Sequence, residues 1–465
     1  MINGEFFSQM NESKTNFGSK IGAILAAAGS AVGLGNVWRF PTETGANGGA
    51  AFILIYIFFM IVLGVPVMIS ELAIGRYGQK NVSHSFYTMS GNKKLWAYMG
   101  FMPVIAGVMV LSYYAVVAGW TFEYAFQAGI NGFAGKSAEQ YAADFVTFSS
   151  DPVKPLLWLG FILGLTGTIV ACGIQKGIER GSKIMMPILF LCIAILVFCS
   201  FTLPGASKGL SFLFHPDFSK VTGSTVLSAM GQAFFSLSVG ICCLCTYGCY
   251  FRKDVNLMKD SLSVAGIDTL VALMSGLIIF PAVYSVPGLE PNAGPALVFI
   301  TLPNVFQQIF AGMPVLAYGF SLLFYVLLVM AALTSSISML EMSAAIFIRK
   351  FKMRRSLACL MVASVCFVLG MACSFSFGIW SDVTIGGLGF FDMFDFIVAK
   401  FLMPIGALLM CLFLGWVVDE KILRNELTNN GAIRQPMYPV YRMVIRYFAP
   451  ICITLIFLNE LGLFL

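Results

Sequence analysis

The chain has 465 residues, of which 58% are hydrophobic and only 11% charged, and its mean hydropathy is +0.87. An average soluble domain carries about 25% charged residues, so a soluble globular protein is excluded and an all-α polytopic membrane protein is expected. The net charge of +6 calls for no nucleic-acid partner, because the bias of Lys and Arg towards one membrane face accounts for it.

Eleven apolar segments of spanning length are expected, at roughly 18–42, 49–76, 95–128, 155–172, 181–203, 226–250, 262–287, 313–347, 357–377, 396–418 and 443–464. The first 17 residues are polar and lack a small-residue cleavage site after an apolar core, so no removable signal is expected. The first span cannot be a continuous helix. Gly29, Gly33 and Gly35 crowd its middle, followed by Asn36, Arg39 and Pro41. Each glycine weakens a helix by about 1 kcal/mol relative to alanine. Unpaired backbone groups in lipid cost several kcal/mol each, so such a break persists only where it lines a cavity or binds something. The sixth span repeats the oddity, with Gly240 following Ser236 and Ser238. Two five-helix halves with an odd number of spans have opposite topology, and paired breaks in inverted halves point to a transport site near the membrane midplane. The expected organisation is an N-terminal segment 1–17, a first repeat 18–203, an inverted repeat 204–418, and a loop with the eleventh helix at 419–465.

With the N-terminus inside, 22 of the 28 Lys and Arg fall at cytoplasmic ends and four outside, which fixes a cytoplasmic N-terminus. Cys242, Cys243, Cys245 and Cys249 cluster in the sixth span. They are read as small packing residues, since a zinc site takes loop-borne or facing pairs of ligands.

Several ordered motifs add a resemblance. Gly33-Leu34-Gly35-Asn36 with Trp38-Arg39-Phe40-Pro41, then Asn47-Gly48-Gly49-Ala50-Ala51-Phe52, then Glu71 with Gly75-Arg76-Tyr77-Gly78, resemble the neurotransmitter:sodium symporter family and its bacterial leucine-transporter-like members. The similarity continues through Gln232-Ala233-Phe234-Phe235-Ser236-Leu237-Ser238, Ile300-Thr301-Leu302-Pro303, Leu333-Thr334-Ser335-Ser336 and Phe391-Asp392-Met393-Phe394-Asp395-Phe396. It implies a sodium-coupled symporter in the bacterial inner membrane that imports a neutral, hydrophobic L-amino acid by alternating access. It leaves the amino acid and the oligomeric state open.

Sodium is a hard cation held by oxygens, and the resemblance implies two ions. The first site takes the Ala31 carbonyl, the Asn36 side chain, the Ser236 hydroxyl, Asp268 and the substrate's carboxylate. The second takes the Gly29, Val32 and Ala331 carbonyls with the Thr334 and Ser335 hydroxyls. Animal members hold chloride with a Tyr, a Gln and serines. Tyr56, Gln232 and Ser236 match part of that set, but the seventh-span serine is Ala272. Asp268 can supply the missing negative charge, so chloride is not expected to be required.

A half-helix N-terminus presents free amides to a carboxylate. Leu34 and Gly35 fit that role, with Tyr114 donating a further bond. By resemblance, amine-transporting relatives carry an Asp where Gly33 stands, so this substrate is expected to bring its own carboxylate. Ala31 and Ser236 border it. The side-chain pocket falls to Val110, Phe235, Ser238, Ile241, Ser335 and Met339, none of them charged.

Arg39 and Asp395 match an outer gate, closing above the substrate through water, with Phe235 as an aromatic lid. The inner gate departs from the pattern. Lys14 and Phe17 stand where relatives have Arg and Trp, Tyr250 is kept, and Arg349 replaces an Asp. Lysine lacks the bidentate fork of arginine and Arg349 repels it, so the inner closure must be built differently. Gly177 and Pro187 match a spacing that permits unwinding of the fifth span in some relatives. Pro291 to Phe310 are expected to form a re-entrant cap. The rival readings are a sodium-dependent sensor or leak channel on the same scaffold, and an intramembrane hydrolase using Glu71 and His84. The second has little support in a chain with only two histidines and no metal-ligand spacing.

Overall fold

The computed structural model describes residues 16–286 and 296–462. These residues are almost entirely helical, with one isolated bridge between Ile385 and Leu388 outside the helices. Nine of the described helices are long and apolar enough to cross a membrane: Ala50–Gly78, Lys94–Gly129, Lys154–Ala171, Ile174–Ser200, Leu257–Val283, Pro314–Arg349, Arg355–Phe375, Phe390–Val417 and Tyr438–Glu460. A tenth span is broken into Lys20–Ala31 and Gly35–Ala46, which meet at 55°. The sixth expected span is also in two pieces, Gly223–Ser236 and Cys243–Gly248. Counting each broken pair once, the eleven segments appear in the expected order.

The boundaries differ from expectation at two spans, each for a local reason. The first span runs on to Ala46 because Pro41 sits in the first turn of the Phe40–Ala46 segment, where its missing N–H costs nothing. The tenth begins at Phe390 rather than 396, after an extended Gly389. Its Phe-rich start lies outside the predicted core length but is helical all the same. The fifth is helical throughout. Its opening Ile174–Glu179 turn is wound as a π-helix containing Gly177, and Pro187 sits inside the following helix.

The third and eighth spans pack along each other. Gly107 permits this, since a Cβ there would stand 2.1 Å from Ser343 Oγ. The N-terminal half of the first span lies against the fifth, seventh and eighth spans. The sixth-span break is held by Glu71, a fully buried carboxylate on the second span. It accepts the N–H groups of Gly240 at 2.7 Å, Leu244 at 3.0 Å and Cys245 at 3.3 Å. The unwound chain therefore exposes few orphan donors. Gly240 has φ +100, and an added Cβ would lie 2.3 Å from Met403 O, so only glycine fits there. Of the cap residues, 291–295 lie outside the described residues, and the described remainder is helical over Leu297–Ile309.

Candidate functional site

The two breaks meet. Ser238 Oγ donates to the Ser30 carbonyl at 3.5 Å, and Ser30 Oγ lies 3.2 Å from Cys243 Sγ. A cavity of about 440 Å³ opens from this junction. All twelve residues expected around the substrate line it: Ala31, Gly33, Leu34, Gly35, Val110, Tyr114, Phe235, Ser236, Ser238, Ile241, Ser335 and Met339. The Leu34 N–H points to the Tyr114 hydroxyl at 3.4 Å, so the two donors expected to share a carboxylate stand side by side. Gly33 is tightly enclosed, since a Cβ there would lie 2.5 Å from Ser335 Oγ and 3.3 Å from Tyr114 Oη.

Asn36, Ser236 and Asp268 form one buried cluster. Asn36 Nδ2 donates to Asp268 Oδ1 at 2.7 Å, to its carbonyl at 3.2 Å and to Ser236 Oγ at 3.3 Å. Ser236 Oγ donates to Asp268 Oδ2 at 2.5 Å. Asn36 Oδ1 accepts the Gly33 N–H at 2.9 Å. Tyr56 Oη reaches Ser236 Oγ at 3.4 Å, whereas neither end of the Gln232 amide has a partner among the described residues. Asp268 is fully buried, and no ion pair of the described residues includes it. A buried carboxylate without a cation is costly, so the cluster fits a sodium ion.

The second set also converges. Ser335 Oγ donates to the Val32 carbonyl at 3.1 Å. Thr334 Oγ1 reaches the same carbonyl at 3.4 Å and that of Ala331 at 3.0 Å. Gly29 packs on Thr334, with room for a Cβ only 3.3 Å from Thr334 Cβ. Every donor is a carbonyl or hydroxyl, which suits a hard cation.

Above the pocket the cavity continues past Arg39 and Asp395 to Glu43, Asp392, Lys400 and Glu460. Arg39 does not pair directly with Asp395. Its guanidinium lies 4.0 Å above the Phe235 ring and its Nε is 3.9 Å from Glu43. Lys400 pairs with Glu460 at 3.4 Å. Glu43, Lys400 and Glu460 are absent from the residues expected at the site, because in the sequence each reads as an isolated charge.

At the opposite end, Lys14 lies outside the described residues. Phe17 is buried against Tyr247, Tyr250 and Phe251, with ring centroids 6.0, 6.1 and 5.7 Å away, and its N–H donates to the Tyr250 carbonyl at 3.0 Å. Glu179 accepts the Gly18 N–H at 2.6 Å and the Ser19 hydroxyl at 2.8 Å. Lys20 pairs with Asp260 at 3.3 Å. Arg349 stacks 4.5 Å above the Tyr250 ring and donates to the carbonyls of Gln79 and Lys80. Tyr250 donates to Glu341, which also holds Arg355. At this end the N-terminal segment is thus packed by an aromatic cluster and by hydrogen bonds and ion pairs to Glu179 and Asp260. Glu71 has both oxygens on sixth-span amides, which leaves the hydrolase reading without a free carboxylate.

The sequence profile of the Sodium:neurotransmitter symporter family matches residues 14–141 and 151–464, and the chain belongs to that family. It is a multi-pass, sodium-dependent membrane transporter and not an enzyme. Among its relatives, an uncharacterized sodium-dependent transporter of Bacillus subtilis, YhdH, is 39% identical over 98% of this chain and 99% of its own. An uncharacterized sodium-dependent transporter of Haemophilus influenzae is 32% identical over 97% and 99%. The crystal structure of MhsT in complex with L-phenylalanine is similar at a TM-score of 0.86 and 40% identity, covering 96% of this chain and 99% of that one.

Proposed function

We propose that the protein imports a neutral, hydrophobic L-amino acid together with two sodium ions by alternating access. The observation that carries this reading is the junction of the breaks. The Leu34 N–H and the Tyr114 hydroxyl are adjacent, and they share one cavity with Asn36 and Ser236. A carboxylate held there neutralises the helix end and completes the coordination of the first ion. The pocket beyond it is lined by Val110, Ile241 and Met339, which favour an apolar side chain. A neighbour at 40% identity that binds L-phenylalanine supports the same class.

The first ion takes Ala31, Asn36, Ser236 and Asp268, and the second takes Gly29, Val32, Ala331, Thr334 and Ser335. The Asp268 carboxylate supplies the charge that chloride supplies in animal members, so chloride is not required. Arg39, Asp395 and Phe235 close the outer path. Phe17 and Tyr250 seal the inner one. The repeats 18–203 and 204–418 move against each other. The membrane is the bacterial inner membrane with the N-terminus cytoplasmic, supported by the Lys and Arg bias. One charge crossing about 100 mV is worth about 2.3 kcal/mol and a tenfold gradient adds about 1.4 kcal/mol. Two ions with a zwitterion then supply about 7 kcal/mol, enough for about 10⁵-fold accumulation.

Equilibrium binding in sodium buffer tests the carboxylate assignment. A hydrophobic amino acid should bind about 100-fold tighter than its decarboxylated amine, because the amine leaves half-helix amides and a sodium ligand unsatisfied. Equal affinity for the two would remove the proposal.

A further inference from the structure

The seam between the tenth and eleventh spans carries two cations that form no ion pair among the described residues. Arg442 and Arg446 are four residues apart on Tyr438–Glu460 and so share one face of that helix. Among the described residues neither has a carboxylate within 4.0 Å, and Asp419 and Glu420, just beyond the end of the tenth span, pair with neither. Arg442 donates to the Leu414 carbonyl. The Arg446 guanidinium lies 4.3 Å from the Trp416 ring centre and 5.5 Å from that of Tyr447. Trp416 Nε1 donates back to the Arg446 carbonyl at 3.2 Å. These contacts fix where the two groups point and leave their formal charges uncompensated. The Nε of each is buried with no acceptor, and they are the only arginine nitrogens among the described residues in that condition. A partly desolvated cation without an anion is costly.

The surroundings say what anion fits. Trp416 is 56% exposed, Tyr447 51% and Met443 57%. Exposed Trp and Tyr beside Arg at the end of a span mark the depth where headgroups meet acyl chains. We propose that Arg442 and Arg446 bind the phosphodiester of an anionic glycerophospholipid, with Trp416, Tyr447 and Met443 packed on its glycerol and first acyl methylenes. Planar guanidinium forks match phosphate oxygens. The exposed apolar collar favours a lipid over a soluble phosphate, which gains nothing from it. The site does not depend on which leaflet it faces or on what is transported.

The test is native mass spectrometry of the full chain, released from nanodiscs of phosphatidylcholine with phosphatidylglycerol as the probe. The wild type should retain phosphatidylglycerol selectively. Retention should fall about fivefold for Arg442→Gln or Arg446→Gln and about 30-fold for both together. Arg434→Gln, at an exposed position, should change nothing. Arg442→Lys with Arg446→Lys should recover part of the retention, and it covers the case in which the Gln variants fail to fold. Equal retention of the two lipids by the wild type would overturn the site, as would unchanged retention in the double Gln variant. Displacement of phosphatidylglycerol by inorganic phosphate would overturn the lipid assignment.

Discussion

Asn36→Ala is the sharpest perturbation of the ion cluster. The side chain is 1% exposed. It accepts the Gly33 N–H at 2.9 Å and donates to both the Asp268 carboxylate, at 2.7 Å, and its carbonyl, at 3.2 Å. Truncation removes one proposed ion ligand and leaves a buried N–H and a buried carboxylate each short of a partner. A hydrogen bond to a charged group contributes about 1.5–3 kcal/mol, so sodium affinity should fall about 10- to 150-fold. In the proposed site the first ion touches the substrate carboxylate, so amino-acid affinity measured at fixed sodium should fall with it. Sodium titrations of amino-acid binding report both quantities. Thermal unfolding without sodium separates the loss to the fold from the loss to the site. A well-folded variant with unchanged sodium dependence and unchanged amino-acid affinity would refute the assignment of Asn36.

Two further outcomes follow from the same geometry. Thr334→Ala with Ser335→Ala removes both hydroxyls from the Val32 carbonyl and should abolish sodium-driven uptake in proteoliposomes; sodium-dependent uptake with unchanged affinity would contradict the second site. Wild-type uptake in gluconate should equal that in chloride, and Asp268→Asn with Ala272→Ser should become chloride-stimulated; strong chloride dependence of the wild type would contradict the role given to Asp268.

The breaks were legible because glycine, asparagine and proline in an apolar run have few other meanings in lipid. The twelve pocket residues could be placed by position because they ride on those breaks and on the third and eighth spans beside them. What holds a break open was not legible. Glu71 stands 169 residues from Gly240, and no local pattern ties an acid to distant amides. The vestibule charges were hidden for the same reason, since Lys400 and Glu460 meet only when the tenth and eleventh spans pack. Pro41 counts with the break residues in the sequence, yet it sits in the first turn of the Phe40–Ala46 segment, where proline is tolerated, so the helix runs on past it. The inner closure was expected to differ from the family's pattern. The contacts that Phe17, Gly18 and Ser19 make with Tyr250 and Glu179 needed the fold, because those residues are far apart in the chain.

Sodium-driven accumulation tests the central claim most directly. Purified protein in proteoliposomes, with sodium outside and a potassium diffusion potential negative inside, should concentrate a hydrophobic L-amino acid above its external level. Uptake should collapse when choline replaces sodium, and preloaded unlabelled substrate should stimulate counterflow. Sodium flux without amino-acid accumulation or counterflow would contradict the account and leave a channel or sensor on this scaffold.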